Sequence, residues 1–276
     1  MNTSRETKIY AVVGDPVAHS LSPLIHNGWI ADHGFDARYD RVHLQSDKAG
    51  DDLRAMATTY SGLNVTLPHK IAALSAAANS SPEARTVGAA NTLVREDGAW
   101  TAHNTDVAGF EAAMHAACGD ELRNLRVLLI GAGGAARAAI VSLNRSGAKL
   151  TIANRSALNA AALANELAPH ARTVGLEDIE RLSADADVIV NSASLGHAGA
   201  SLPSLSPGAG RPFLDLSYGK AAAGTLAAAA NAGWAPHDGL TMLVAQAAVA
   251  FHLWFGVWPD QAKALRACRS KLQADA

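Results

Sequence analysis

Polar residues whose types and spacing suit chemistry fall into three groups in this 276-residue chain. The first is His19-Ser20-Leu21-Ser22-Pro23. Two hydroxyls at i and i+2 near a helix start can bind a carboxylate or phosphate, or can do no more than cap the helix. The second is Asn64-Val65-Thr66-Leu67-Pro68-His69-Lys70. Period-two alternation sets Asn64 and Thr66 on one face of a strand and Val65 on the other. Pro68 ends that strand, so Lys70 falls in the first turn of a helix over about 69–78, where the dipole disfavours a cation. Such a lysine is either a solvated surface residue or a group suited to proton transfer. The third group flanks Asp97-Gly98, a strong two-residue hairpin signal. Pairing Glu96 with Ala99 places Asn91 opposite Asn104, and Asp106 shares that face if the strand persists. Turn and cap chemistry explains any one of these three residues, but less readily all of them.

A different kind of site is expected at Arg126–Ala138, RVLLIGAGGAARA. Val127–Ile130 reads as a buried strand, and Gly131, Gly133 and Ala136 fit the spacing G-x-G-x-x-G/A. The first glycine permits a tight turn, and the second lets backbone approach a pyrophosphate. The third small residue lets the next helix pack on the strand, with its N-terminus facing the phosphate charge. The alternative is an ordinary strand–turn–helix with small residues. A following helix to about Ser146, closed by Gly147, and a strand over 149–153 favour the dinucleotide reading. That second strand ends at Asn154-Arg155-Ser156 rather than at an acidic residue. Arg155 can pair with a ribose 2′-phosphate where an aspartate would repel it, which favours NADP over NAD; otherwise it is a solvated helix-start residue.

The elements that position these groups alternate. Strands are expected over 8–13, 37–44, 187–191 and 213–216, and helices over about 24–34, 51–58, 156–167, 240–255 and 260–272. This is an α/β pattern of about two domains. Hydrophobic residues make up 49% and charged ones 17%, so a folded, non-membrane protein is expected rather than a disordered one. The net charge of −2 argues against nucleic acid or an anionic membrane as partner. The N-terminal MNTSRETKIYAVVG lacks the apolar core of a signal peptide, so a cytoplasmic location is expected. Cys118 and Cys268 lack metal-ligand spacing and read as reduced, buried thiols. No metal is expected, and His19, His69 and His103 read as local hydrogen-bonders.

HSLSP at 19–23, NVTLPHK at 64–70, VGAANTL at 87–93, HNTDVAGF at 103–110, GAGGAARA at 131–138 and DGLTMLVAQAAVAF at 238–251 occur in an order that resembles the shikimate dehydrogenase family. The resemblance covers nearly the whole chain. It implies a two-domain α/β fold: a substrate-binding domain over 1–105 and 239–276, and a Rossmann-type NADP domain over 106–238. It implies reversible NADP-linked reduction of 3-dehydroshikimate to shikimate, in aromatic amino-acid (chorismate) biosynthesis, by a monomer or homodimer.

By the same match Lys70 and Asp106 are the catalytic pair. Ser20 and Ser22 hold the substrate carboxylate with Tyr218, while Asn64, Thr66, Lys70, Asn91, Asp106 and Gln246 hold the ring. The cofactor falls to Gly131, Ala132, Gly133, Gly134 and Ala135, to Asn154, Arg155, Ser156 and Asn159, and to Ser192, Leu216, Gly239 and Met242. Departures from the family pattern are Ser156 for a threonine, Asn159 near a second basic position, and Ala221–Ala223 after Tyr218. The first two leave the phosphate clamp one charge short. The rival readings are a quinate/shikimate dehydrogenase using NAD or NADP and a non-catalytic sensor of a shikimate-like ligand.

Overall fold

The structure is a computed structural model that describes residues 7–45, 47–193, 195 and 201–275. The chain divides into two compact units. One contains the chain up to Thr105 together with Val244–Asp275, and the other is Asp106–Leu243.

The first unit runs β1 (Lys8–Gly14), α1 (Ser22–His33), β2 (Ala37–His43), α2 (Ala49–Met56), β3 (Gly62–Val65), α3 (Lys70–Ala76), β4 (Asn79–Ser80), α4 (Pro82–Val87), β5 (Thr92–Glu96) and β6 (Ala99–His103). Its sheet has the order β2-β1-β3-β5-β6-β4. The β1 strand is parallel to both neighbours and is buried from Tyr10 onward, as the unbroken apolar run requires of a strand covered on two faces. The β5–β6 hairpin has the register expected from its turn, Glu96 opposite Ala99 and Thr92 opposite His103. Ala11, Val13, Leu53, Leu63, Val65, Leu93 and Trp100 form the core on one side.

The last two helices of the chain, α10 (Leu240–Phe255) and α11 (Gln261–Ala274), supply the other side from Val244 onward. Phe251, Trp254 and Phe255 pack there with Tyr10, Trp29 and Tyr39. Trp254 donates to the Leu93 carbonyl at 3.1 Å and lies over Gly62, where any side chain would collide with the indole.

The second unit runs α5 (Asp106–Cys118), β7 (Arg126–Ile130), α6 (Gly134–Ser146), β8 (Lys149–Ala153), α7 (Ala157–Leu167), β9 (Arg172–Val174), α8 (Ile179–Ser183), β10 (Val188–Asn191), β11 (Pro212–Asp215), α9 (Lys220–Asn231) and β12 (Ala235–His237), then enters α10. All its strands pair in parallel in the order β12-β11-β10-β7-β8-β9. This is the doubly wound order, whose reversal lies beside β7. Alternation along β7 divides its apolar run between two layers. Val127 and Leu129 join Ile140, Leu143 and Val190 on one face, and Leu128 and Ile130 join Ile189 and Phe213 on the other.

The short β4, β9 and β12 and the helices α4 and α8 were not expected from periodicity. Each is six residues or fewer, too short for a period to register, whereas α5 and α9, also not among the expected helices, are alanine-rich segments of 13 and 12 residues in which small apolar residues on every face blur the period. No described helix is long and apolar enough to cross a membrane.

Candidate active site

In the first unit a buried chain of amides and hydroxyls connects three elements and α10. Antiparallel pairing sets Asn64 on β3 opposite Thr92 on β5. Asn64 donates through Nδ2 to Thr92 Oγ1 at 3.1 Å, and its Oδ1 accepts from the Tyr39 hydroxyl at 2.7 Å. Asn91 donates to Thr105 Oγ1 at 2.9 Å and to Gln246 Oε1 at 3.2 Å, and its Oδ1 accepts from the Thr105 backbone N–H at 2.7 Å. The Thr92 and Thr105 hydroxyls lie 3.3 Å apart and close the chain. Every member is buried, so each polar group needs the partner it has, and the amide orientations are fixed by the network. Sequence reasoning missed Tyr39, Thr92 and Thr105. The only signal for the threonines was a hydroxyl beside each singled-out residue, in Asn91-Thr92 and Thr105-Asp106.

Lys70 is the first residue of α3, half-buried, and its carbonyl accepts from the Ala90 N–H at 2.9 Å. His69 before it bonds through Nε2 to the Leu44 carbonyl at 2.6 Å. Thr66 lies one residue past β3, and its methyl closes over Gly14, where a side chain would collide with it.

Asp106 differs from expectation. The strand does not persist: β6 stops at His103, and Asp106 is buried as the first residue of α5, where a carboxylate is favoured by the helix dipole. Asn104 is likewise committed elsewhere, donating to the Ala89 carbonyl at 2.9 Å. The Ser20/Ser22 pair does not cap α1 either. Leu21 is the cap position and makes no side-chain cap bond. Ser22 N–H donates to Ser20 Oγ at 3.2 Å, and the two hydroxyls lie 3.2 Å apart.

Under Asn64 sits His26, wholly buried and stacked on Tyr39 at 4.3 Å between ring centroids. Neither ring nitrogen meets full hydrogen-bond geometry among the described residues, although the neighbouring Asn64 side chain partly opposes the effect of burial. Burial pushes its pKa down to about 3, so the ring is neutral at ordinary pH.

In the second unit the glycine turn follows β7. Gly131 has a φ of 111° and lies so close to Ser192 and Ala193 that a side chain there would meet Ser192 Oγ at 2.6 Å. Gly133 is the cap of α6, and a side chain built on it would meet no atom within 4 Å. That open space borders the N–H groups of Gly134, Ala135 and Ala136, which have no intrahelical partner at a helix start. The turn therefore fits a pyrophosphate.

At the end of β8, Asn154 donates to the Ser156 carbonyl at 3.0 Å, and Ser156 Oγ caps α7 by accepting from the Asn159 N–H at 3.3 Å. Arg155 is exposed and forms no ion pair among the described residues. Ser192 donates to the Ile130 carbonyl at 2.8 Å; Ser194 and Gly196 beyond it lie outside the described residues.

Leu216 and Gly239 are in backbone contact, and a side chain at 239 would collide with the Leu216 carbonyl. Met242 belongs to the apolar core with Leu214, and Tyr218 is half-buried between β11 and α9. Asp215, which the sequence did not single out, is buried at the end of β11. Its carboxylate accepts from Thr225 and from Asn191, the latter at 2.8 Å, and burial raises its pKa against those bonds. Among the described residues no cluster of three or more His, Cys, Asp or Glu could hold a metal ion.

A doubly wound parallel unit with a glycine turn, and a second unit with a satisfied polar cluster, define the class: a dinucleotide-dependent α/β oxidoreductase. Three family models match successive stretches of the chain. The shikimate dehydrogenase substrate-binding domain matches residues 12–93, the shikimate/quinate 5-dehydrogenase model 113–198, and the shikimate 5′-dehydrogenase C-terminal domain 239–269. This chain belongs to the shikimate dehydrogenase family.

It is 46% identical over 270 residues to the shikimate dehydrogenase (NADP(+)) of Hyphomonas neptunium, covering 97% of this chain and 99% of that protein. It is also similar to the crystal structure of shikimate 5-dehydrogenase from Thermus thermophilus in complex with NADP(H) and shikimate. There the TM-score is 0.79 and the identity 33%, over 95% of this chain and 99% of that one. Quinate dehydrogenase from Corynebacterium glutamicum in complex with NAD matches with a TM-score of 0.83 at 28% identity, over 96% and 99%.

Proposed function

We propose that this chain is an NADP-dependent shikimate dehydrogenase, reducing 3-dehydroshikimate to shikimate reversibly in aromatic amino-acid (chorismate) biosynthesis. The observation that carries the reading is the buried Asn64–Thr92–Asn91–Thr105–Gln246 chain, whose amides are set for a ring with several hydroxyls. A site of paired polar groups rejects analogues that leave one unpaired. Ser20 and Ser22 hold the carboxylate with Tyr218, and Asn64, Thr66, Asn91 and Gln246 hold the hydroxyls.

The glycine turn would hold NADPH, and the chemistry that group would supply is a hydride for the substrate carbonyl. Negative charge then grows on the carbonyl oxygen, and Lys70 Nζ donates the proton that quenches it. Asp106 is the carboxylate of the proposed catalytic pair: its negative charge favours the protonated lysine that donates and, in the reverse direction, the lysine's acceptance of the alcohol proton. Such positioned proton transfer contributes roughly 10²- to 10⁴-fold. Gly131–Ala135 hold the pyrophosphate, and Asn154, Arg155 and Ser156 face the 2′-phosphate with Arg155 as its cation. Asn159, Ser192, Leu216, Gly239 and Met242 complete the cofactor side.

The same reading makes the chain a cytoplasmic enzyme, a monomer or homodimer, with no nucleic-acid or membrane partner. The rival reading, a quinate/shikimate dehydrogenase using NAD or NADP, is favoured on the cofactor side alone, by the lone charge at Arg155 and the neutral Asn159. Steady-state rates with shikimate and quinate, each against NADP and NAD, decide between them. Shikimate with NADP is expected to be fastest, and a preference for quinate with NAD would overturn the proposal.

A further inference from the structure

We infer that Arg41 is a positioning residue for substrate carboxylate recognition, acting through the Ser20–Ser22 turn. The inference rests on the reading that those serines hold the carboxylate, and it adds a residue to which that reading gives no part. Arg41 lies on β2 opposite Val12 of β1. Its guanidinium donates twice to one backbone oxygen, the Ser20 carbonyl, from Nε at 3.1 Å and from Nη2 at 2.7 Å.

Within the turn, the Ser20 N–H donates to the Val17 carbonyl at 3.0 Å, and the Ser22 N–H to Ser20 Oγ. These bonds shape the turn without anchoring it to the sheet. The two-pronged contact from Arg41 supplies that anchor and fixes where the two hydroxyls stand.

Arg41 is also an uncompensated charge. The nearby carboxylates are taken by other cations: Asp40 pairs with Arg38 at 3.0 Å, and Asp15 bonds His43 at 2.8 Å. Arg41 itself pairs with no carboxylate among the described residues. An arginine has five N–H donors, and only two are used here. An exposed arginine with no acidic partner, spent on a single carbonyl, has little to offer stability. It does place a full positive charge directly behind two hydroxyls suited to an anion, where the charge attracts the carboxylate and polarises the turn that meets it.

The test compares Arg41→Met, Arg41→Lys and Ser22→Ala with the wild type. Shikimate and its methyl ester serve as substrates, with NADP saturating. For Arg41→Met the expected result is a rise in KM for shikimate on the order of tenfold, with kcat and the KM for NADP within about twofold of wild type. The preference for the acid over its methyl ester should shrink by a similar factor, and the salt dependence of the shikimate KM should flatten. Arg41→Lys, which keeps the charge but loses the fork, should recover part of the ester discrimination.

A role confined to folding would lower apparent kcat through the active fraction, and a general loosening of the site would raise KM for acid and ester alike; either leaves the acid-to-ester ratio unchanged, which overturns the inference. So would an unchanged shikimate KM in Arg41→Met when Ser22→Ala raises it. If Ser22→Ala leaves both the shikimate KM and the ester discrimination intact, it is the assignment of the serines that fails, and the role of Arg41 falls with it.

Discussion

The two units build their candidate sites by opposite means. In the first, the candidate site is crowded with side chains: Asn64, Thr92, Asn91, Thr105 and Gln246 satisfy one another in a closed chain away from water. In the second, it is made by leaving side chains out. Gly131 adopts a φ of 111° against Ser192, and Gly133 leaves open space before a helix start. A hydroxylated ring needs several directional bonds at set positions, whereas a pyrophosphate needs close backbone approach and a favourable dipole. Substitutions should therefore act differently in the two units.

The largest effect is expected at Lys70. Lys70→Ala should leave shikimate binding nearly intact while lowering kcat by at least about a hundredfold, read by steady-state kinetics beside equilibrium titration. Near-normal turnover would remove Lys70 from the mechanism.

Thr92→Val tests the crowded unit. It removes the shorter of the two bonds the Asn64 amide donates, leaving the one to the Asn91 carbonyl at 3.4 Å, and takes away the hydroxyl that links Asn91 and Thr105, so denaturant unfolding should show a loss of about 1–2 kcal/mol, and the shikimate KM should rise with it. Stability and KM both at wild-type values would show that the network is not what orders the site.

Gly133→Val tests the empty unit in the opposite sense. A Cβ at 133 meets no protein atom within 4 Å, and valine is a poorer helix cap than glycine, so stability should fall by no more than about 1 kcal/mol. The KM for NADP should nevertheless rise, because the space belongs to the phosphate; an unchanged NADP KM would move the cofactor elsewhere.

A further effect, read through pH, concerns the support beneath the polar chain. His26 is held neutral, with a folded pKa of about 3 against an ordinary 6.5. Between those values the unfolded chain binds a proton that the folded chain does not, so stability falls as pH drops through that window, by up to about 1.4 kcal/mol per unit. His26→Phe should weaken this acid-side slope in denaturation midpoints followed from about pH 7 to about pH 5. An unchanged slope would place the acid sensitivity in other groups.

Legibility in the sequence divided along the same line. The second unit's site is local: β7, its glycines and α6 are contiguous, and Gly147 ends the helix with a φ of 73° as a glycine stop should. The hairpin register also followed from a two-residue turn alone. The first unit's site depends on contacts between distant residues. Nothing local says that Asn64 faces Thr92, because the β3–β5 register is set by packing rather than by a tight turn. Nor does a local pattern bring Gln246 to Asn91, 155 residues away. For a related reason the condition that the strand persist fails at Asp106. Its buried position at the start of α5 depends on where β6 stops, and boundaries are the least readable part of a sequence.

The division of labour between the units is tested most directly at Arg155, the exposed cation at the end of β8. Arg155→Ala, assayed with both cofactors at saturating shikimate and then with shikimate varied, is predicted to lower kcat/KM for NADP at least about tenfold more than for NAD, the worth of a charge-assisted contact to a 2′-phosphate. The shikimate KM should not move. Equal losses with NADP and NAD, or a shift in the shikimate KM of the same size, would contradict the account.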